Sequence, residues 1–196
     1  MLEQIVKQYS EKDKLSLLIR HADRDKIPAG EFGNDVLLNE TGKERALNFG
    51  NSLSELKINK IFTSPVERCV QTAEYIAKGY GKPLEITKSH ELGDPGLHIS
   101  DDQVAGKFFL TEGFDELYYR ITHNIDIPGI AITEQFNEKM TDFLTENTKE
   151  NGITVFVTHD LLIAHYHFSI NGKIYPKDDW VKYLGGLIFK NGKYEE

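Results

Sequence analysis

The chain has 196 residues, of which 28% are charged and 39% hydrophobic, and its formal net charge is −8 from 23 Lys and Arg against 31 Asp and Glu. This length suits one sizeable domain and is short for two, so we expect residues 1–196 to form a single domain. The acidic balance argues against partners that need a basic surface, namely nucleic acid and anionic membranes.

Targeting signals and disulfides are also not expected. The N-terminal residues carry no long apolar core, and no apolar run approaches the length of a membrane span, so we expect a cytoplasmic protein. Cys69 is the single cysteine, which excludes an intramolecular disulfide and a cysteine-based zinc site.

The first half of the chain alternates apolar runs with helical patterns. Residues 1–10 predict a short amphipathic helix, and the apolar run Leu15–Ile19 predicts a buried strand. A loop at residues 25–40, which contains Gly30, follows. The remaining predictions are a helix from Thr41 to about Leu56, a strand ending at 61–63, a helix to about Lys78 and a strand at 84–87.

Two capping patterns set the predicted helix starts. Thr41 with Glu44, and Ser64 with Glu67, each place a hydroxyl three residues before a glutamate, as in a capping box. Pro65 at the first helical position supports the second start.

The second half begins with a less regular stretch. Residues 93–128 mix Gly, Asp, Pro and aromatic residues with weak periodicity, so we predict a lid-like excursion over the site, with one helix near 115–122. Further elements are a helix at 133–149, a strand at 153–157, a helix at 161–169 and a hairpin around Asn191-Gly192. This alternation predicts an α/β fold, a three-layer αβα sandwich with a mainly parallel central sheet and an antiparallel edge.

Polar side chains follow three predicted strands at the point where each ends. Side chains at the carboxyl ends of neighbouring strands converge in one pocket. Arginine forks match phosphate oxygens, and nearby positive charge keeps an imidazole neutral and nucleophilic. The residues are Arg20, His21 and Arg24 after the first strand, Ser64 and Arg68 after the second, and His159 and Asp160 after the strand at 153–157.

Four segments, in order over about residues 15–168, resemble motifs of the histidine phosphatase superfamily, which includes the phosphoglycerate mutases and the histidine acid phosphatases. Residues 20–24 (Arg-His-Ala-Asp-Arg) are similar to its Arg-His-Gly signature, with Ala22 replacing the glycine. Residues 64–73 are similar to its Ser-Pro-x-x-Arg-x-x-x-Thr-Ala motif, residues 158–160 to its second histidine segment, and residues 38–42 to its Leu-Thr-x-x-Gly. Four partial matches in order are specific, and the resemblance implies a phosphoglycerate mutase-like fold.

The resemblance also implies residue roles. His21 would be the nucleophile that becomes phosphohistidine; Arg20, Arg24 and Arg68 would hold the phosphoryl oxygens, and His159 would complete that pocket. We expect the methyl group of Ala22 to be tolerated.

Three carboxylic acids are candidates for protonating the leaving oxygen. In the acid-phosphatase branch the acid follows the second histidine, and Asp160 matches that position. In the mutase-like branch it is a glutamate after the third strand, where this chain offers Glu91 and, slightly displaced, Asp94. We favour Asp160, because its position beside His159 is unambiguous.

These residues predict a metal-independent phosphatase that hydrolyses a phosphomonoester of a small molecule or a phosphoprotein, without a cofactor. His165 and His167 lie two apart on a predicted helix and point to different faces, so we expect no metal site there. The alternatives are a mutase-type phosphoryl transfer, a protein phosphohistidine phosphatase and a non-catalytic phosphate-binding module. The sequence makes no prediction of oligomeric state.

Overall fold

A computed structural model describes residues 2–10, 12–28 and 31–195. Met1 of the predicted N-terminal helix, Gly30 of the predicted loop, and the two ends of the predicted domain lie outside the described residues.

Six strands form one sheet in the order β3-β2-β4-β1-β5-β6. Neighbouring strands from β3 to β1 run parallel, β5 pairs antiparallel with β1, and β6 pairs antiparallel with β5. The mainly parallel sheet with an antiparallel edge is therefore confirmed. The strands are β1 (Lys14–Arg20), β2 (Ile58–Thr63), β3 (Ile86–Lys88), β4 (Gly152–Thr158), β5 (Gly186–Lys190) and β6 (Lys193–Glu195).

Helices cover both faces of the sheet, which confirms the three-layer α/β sandwich. Leu17 and Ile19 of β1 pack in one core with α2 and α3, whereas Leu18 between them packs in a second core with α5 and α6. This division follows from the alternation of side chains along a strand. The helices are α1 (Leu2–Val6), α2 (Glu40–Ser52), α3 (Glu67–Tyr80), α4 (Asp102–Thr122), α5 (Thr133–Asn147) and α6 (Asp160–Asn171).

Both predicted capping boxes are wrong in detail. Asn39, not Thr41, caps α2, because its side-chain oxygen accepts the Gly42 N–H at 2.9 Å. At α3 the residue before the helix is Val66, which makes no side-chain cap, and Ser64 Oγ lies at 3.3 Å from Val66 N. Asparagine caps helices at least as well as threonine, which explains the earlier start of α2.

The predicted helix near 115–122 is only the second half of α4. The helix begins at Asp102 and is interrupted at Gly113, whose φ of 81° lies in a region that favours glycine. Only Ala105, Leu117 and Ile121 of α4 are buried, so its first half has no apolar stripe against a core and gave no periodic signal. Within the described ranges, no helix is long and apolar enough to cross a membrane.

Candidate active site

The carboxyl ends of β2, β4 and β1 meet at one edge of the sheet. These strands are adjacent, and Arg20 at the end of β1 pairs with Thr158 at the end of β4. The residues that follow these strands are therefore neighbours, and the ring centroids of His21 and His159 lie 5.6 Å apart. The sheet topology thus brings two of the three predicted segments together through their histidines.

His21 is held as a neutral imidazole with a defined tautomer. Its Nδ1 lies 2.8 Å from the carbonyl oxygen of Ala22, and its Nε2 lies 3.1 Å from Arg68 Nε. Because Arg68 can only donate, Nε2 accepts, so Nδ1 carries the proton and donates to Ala22. Burial first, and then the charges of neighbouring groups including Arg68, lower the pKa of His21 well below its usual value. The lone pair of His21 therefore sits on Nε2, where it accepts from Arg68 and can act as a nucleophile once that hydrogen bond is exchanged.

Arg68 joins the two histidines. Besides its contact with His21, its Nη2 donates to His159 Nδ1 at 3.2 Å, and its Nη1 donates to the carbonyl oxygen of Gly33. The side chain is only 5% exposed, so its charge acts in a poorly hydrated environment. A guanidinium between two imidazoles keeps both of them neutral.

His159 is oriented by Ser64 on its other side. Its Nδ1 accepts from Arg68, so its Nε2 donates to Ser64 Oγ, 3.0 Å away. Loss of hydration and the Arg68 charge lower the pKa of His159 to about 3. Gly93, with φ of 147°, lies against this ring, and a Cβ there would come within 2.7 Å of His159 Nε2 and of Ser64 Oγ. Glycine is required at this close approach.

Arg20 and Asp160 form an ion pair at the margin of the site. Arg20 Nη2 lies 2.7 Å from Asp160 Oδ2, and Arg20 Nη1 donates to the carbonyl oxygen of Val181 at 2.6 Å. The guanidinium also stacks 4.0 Å above the ring of Tyr183. The other carboxylate oxygen of Asp160 accepts the Leu161 N–H. Arg20 is thus fixed from several sides, and Asp160 lies between it and the cleft.

The cleft itself is a cavity of about 520 Å³. One end is formed by what we call the His–Arg pocket: His21, Arg24, Arg68 and His159. Asp160 also lines the cavity, whereas Arg20 is not among its described lining residues. Two buried guanidinium nitrogens, Arg20 Nε and Arg24 Nε, find no hydrogen-bond partner within the described part of the chain. Buried donors of this kind are normally satisfied, and Arg24 Nε, on a residue that lines the cavity, can donate to an acceptor bound there.

The other two acid candidates differ in their access to the cavity. Asp94 lines it, next to Gly93. Glu91 lies outside its described lining, is exposed, and accepts a hydrogen bond from Ser89 Oγ. The structure therefore brings Asp160 and Asp94, but not Glu91, to the cavity wall.

Cys69 and the two later histidines have structural environments. Burial raises the pKa of the Cys69 thiol to about 12, so the thiol is protonated and unreactive at neutral pH. His165 lies 3.2 Å from Thr133 Oγ1, whereas His167 contacts Tyr175. Within the residues that the structure describes, no three histidine, cysteine or acidic side chains are grouped as metal ligands.

Several residues of the site escaped prediction from the sequence. Tyr183 and the Val181 carbonyl hold Arg20 from more than 160 positions away in the chain. Thr72 Oγ1 accepts the Ala22 N–H at 3.0 Å and donates to the Arg68 carbonyl at 2.7 Å, so it ties the first motif to the second. Thr72 belongs to the Thr-Ala end of the motif at residues 64–73, and that motif could have identified it as a site residue. No sequence pattern pointed to Tyr183.

Two neutral histidines thus surround a buried arginine at the carboxyl edge of a mainly parallel sheet. A comparison with protein families leads to the same family that the sequence motifs resemble. The family model of the histidine phosphatase superfamily (branch 1) matches residues 16–173, and the chain belongs to this superfamily.

Individual relatives include both mutases and phosphatases. The 2,3-bisphosphoglycerate-dependent phosphoglycerate mutase of Thermoplasma acidophilum is 27% identical over 154 residues, which cover 74% of this chain and 70% of that protein. Phosphoserine phosphatase 1 of Hydrogenobacter thermophilus is 26% identical over 165 residues, which cover 80% and 75%. Among solved structures, the phosphoglycerate mutase of Bacillus anthracis str. Sterne superposes with a TM-score of 0.61 at 16% identity, covering 94% of this chain and 92% of that one. The last comparison shows the shared fold.

Proposed function

We propose that this protein is a metal-independent phosphomonoester hydrolase that works through a phosphohistidine intermediate on His21. One observation carries the proposal: the Nε2 lone pair of His21 faces Arg68 in a cavity, while Nδ1 is tied to the Ala22 carbonyl. The mutase and phosphatase relatives act, by their names, on phosphorylated small molecules, which supports the same substrate class here.

In the first step, His21 Nε2 attacks phosphorus while the bond from phosphorus to the ester oxygen breaks. Arg68 and Arg24 donate to the phosphoryl oxygens, so Arg68 exchanges its hydrogen bonds with the imidazoles for bonds with the phosphate. His159 completes this pocket. Catalysis then rests on positioning and charge stabilisation, which suits phosphoryl transfer. In the second step, water attacks phosphorus while the bond from phosphorus to His21 Nε2 breaks and the proton donor of the first step takes back a proton from that water. Phosphate and neutral His21 are released.

The leaving oxygen needs a proton, and we propose that Asp160 donates it. Its carboxyl group follows His159 directly and lines the cavity. To act as a donor, Asp160 must first bind a proton. A proton on Oδ2 competes with the ion pair that this oxygen forms with Arg20. Asp94 is the second candidate, since it also lines the cavity and lies only slightly displaced from the position of the acid in the mutase-like branch.

The test is a rapid-quench experiment with a ³²P-labelled phosphomonoester. We expect a protein-bound label that is labile in acid, stable in base and located on His21 after proteolysis. Chelation with EDTA should leave the rate unchanged, and vanadate should inhibit by occupying the His–Arg pocket. A strict requirement for Mg²⁺ or Zn²⁺, or a label on another residue, would overturn the proposal.

The same protein preparation separates the alternatives. Transfer between the hydroxyls of phosphoglycerate, without net phosphate release, would identify a mutase. Dephosphorylation of a phosphohistidine protein in preference to small esters would identify a protein phosphohistidine phosphatase. Phosphate binding without turnover of p-nitrophenyl phosphate would identify a binding module.

A further inference from the structure

Outside the His–Arg pocket, much of the cavity lining is apolar. Six side chains form what we call the apolar wall: Phe32, Ile99, Phe109, Phe114, Leu117 and Ile130. They come from four segments: the loop before α2, the stretch 93–101, α4, and the stretch 123–132 between α4 and α5. Phe32 stacks on Phe109 with ring centroids 5.5 Å apart. The wall is continuous with the pocket, so a molecule whose phosphate lies on His21 extends along it.

Positive charge in the cavity is confined to the pocket. Among the described lining residues, the only arginine or lysine side chains are Arg24 and Arg68. Arg20 lies outside the described lining and is paired with Asp160. A cation for a second anionic group of the substrate is therefore missing from the described wall.

The remaining polar groups of the cavity do not supply one. His98 also lines it, and burial lowers the pKa of His98 to about 4, so the ring is neutral at neutral pH. Asp94 and Asp102 also line the cavity and repel a second negative charge. Asn34 and His98 are the neutral side-chain donors that line the cavity outside the His–Arg pocket. A carboxylate on the leaving group, such as that of phosphoglycerate or phosphoserine, would lose hydration here without gaining a positively charged partner.

We infer that the preferred substrates are phosphomonoesters whose leaving group is apolar and uncharged, an alkyl or aryl alcohol that lies against the apolar wall. The inference rests on the proposed function and names the substrate class for the same site. A cavity of about 520 Å³ accommodates a phosphate together with a leaving group of several carbon atoms.

The experiment is a series of n-alkyl phosphates from ethyl to octyl, in which the leaving group changes in length but not in chemical type. We expect kcat/KM for phosphate release to rise roughly threefold for each added methylene until the cavity is filled. Octyl phosphate should exceed 3-phosphoglycerate and phosphoserine. A flat series, or a preference for the two charged esters, would overturn the inference.

Two variants connect the preference to the wall. Phe109→Ala removes a wall ring and should reduce the ratio of octyl to ethyl rates severalfold. Leu110→Ala changes the next residue of α4, which is 52% exposed and outside the described lining, and should keep the wild-type ratio. If the ratio of octyl to ethyl rates is the same in both variants, the apolar wall does not determine the preference for long chains. Because the two esters are compared within each variant, a general loss of folded protein lowers both rates and does not alter their ratio.

Binding of n-alkylphosphonates, measured by calorimetry, separates this inference from the proposed function. If affinity rises with chain length but no ester is hydrolysed, the cavity assignment stands and the hydrolase proposal fails. If p-nitrophenyl phosphate is hydrolysed but neither rate nor affinity depends on chain length, the hydrolase stands and the apolar assignment fails.

Discussion

The His–Arg pocket and the apolar wall share one cavity but come from different parts of the fold. The pocket is built at the carboxyl ends of adjacent strands, where backbone pairing and buried hydrogen bonds fix His21, Arg68 and His159. The wall consists of side chains from loops and from α4, whose helical geometry is interrupted at Gly113. One end of the cleft is thus set by the sheet, and the other by segments that vary more easily. Under the proposed function, chemistry and selectivity are accordingly separated in space, and each can be tested by substitutions at its own end.

The largest expected effect lies in the pocket. His21→Ala removes the nucleophile and should lower kcat by at least about 10⁴-fold for every phosphomonoester, whatever its leaving group. His123→Ala changes an exposed histidine that stacks on Tyr119 and should keep the wild-type rate. Steady-state phosphate release checks both variants, with circular dichroism to confirm folding. Substantial turnover by His21→Ala would rule out the phosphohistidine route.

The next effect lies at the border between the two ends. A general acid matters for a poor leaving group and little for a good one. Asp160→Asn should therefore lower hydrolysis of an alkyl phosphate by about 10²-fold and that of p-nitrophenyl phosphate much less.

Glu91→Gln and Asp94→Asn are the matched comparisons for this acid. Both should lower the two rates in equal proportion or not at all. If the contrast between leaving groups appears at Glu91 or Asp94 and is absent at Asp160, the proton donor is that of the mutase-like branch.

Arg68→Ala should lower the rates of hydrolysis of both substrates equally, because the proposed role of Arg68 is to contact the phosphoryl group.

A smaller effect is expected from the support of His159. Ser64→Ala removes the acceptor for His159 Nε2, and the loss of one buried hydrogen bond should lower kcat/KM by about tenfold, equally for short and long alkyl esters. Ser169→Ala removes a hydroxyl that donates to the Tyr166 carbonyl away from the cavity and should leave the rates unchanged. A change in chain-length preference with Ser64→Ala would show that pocket and wall are not separate.

The last expected effect is on stability rather than on rate, and it concerns His98, which lines the cavity. The pKa of His98 is about 4 in the folded protein and about 6.5 in an unfolded chain, so below pH 6.5 the unfolded state binds the extra proton. The free energy of unfolding should therefore fall as pH drops from 6.5 towards 4, and His98 should contribute up to about 1.4 kcal/mol per pH unit. His98→Leu should make this decline shallower in urea titrations. An unchanged slope would show that His98 is hydrated in the folded protein.

The fold was predictable because its signals are local and repeated. The apolar run Leu15–Ile19 and the β-branched run at 153–157 have too little polar character for any position except a central strand, and both are central strands, β1 and β4. The start of α2 was wrong because Asn39 competes with Thr41 as a cap only two residues away. The first half of α4 was missed because its exposed face and Gly113 remove the periodicity.

The site was predictable to the extent that its residues follow strand ends. That rule placed Arg20, His21, Arg68, His159 and Asp160 close together before any geometry was known, whereas their chemical roles remain predictions. The same rule has no information about Tyr183 or about Phe32 and Phe109, which reach the site from loops and from α4. Contacts between such segments depend on tertiary packing, and no short-range pattern encodes them.

One hydrogen bond described above limits how this cleft can be redesigned. Arg68 Nη1 donates to the Gly33 carbonyl, and Gly33 follows Phe32, whose ring stacks on Phe109. The same short stretch of backbone therefore supplies both an acceptor for the Arg68 guanidinium and a ring of the apolar wall. An insertion or deletion beside Phe32 that retunes selectivity also displaces the guanidinium, so new substrate ranges are more accessible through α4 than through this loop.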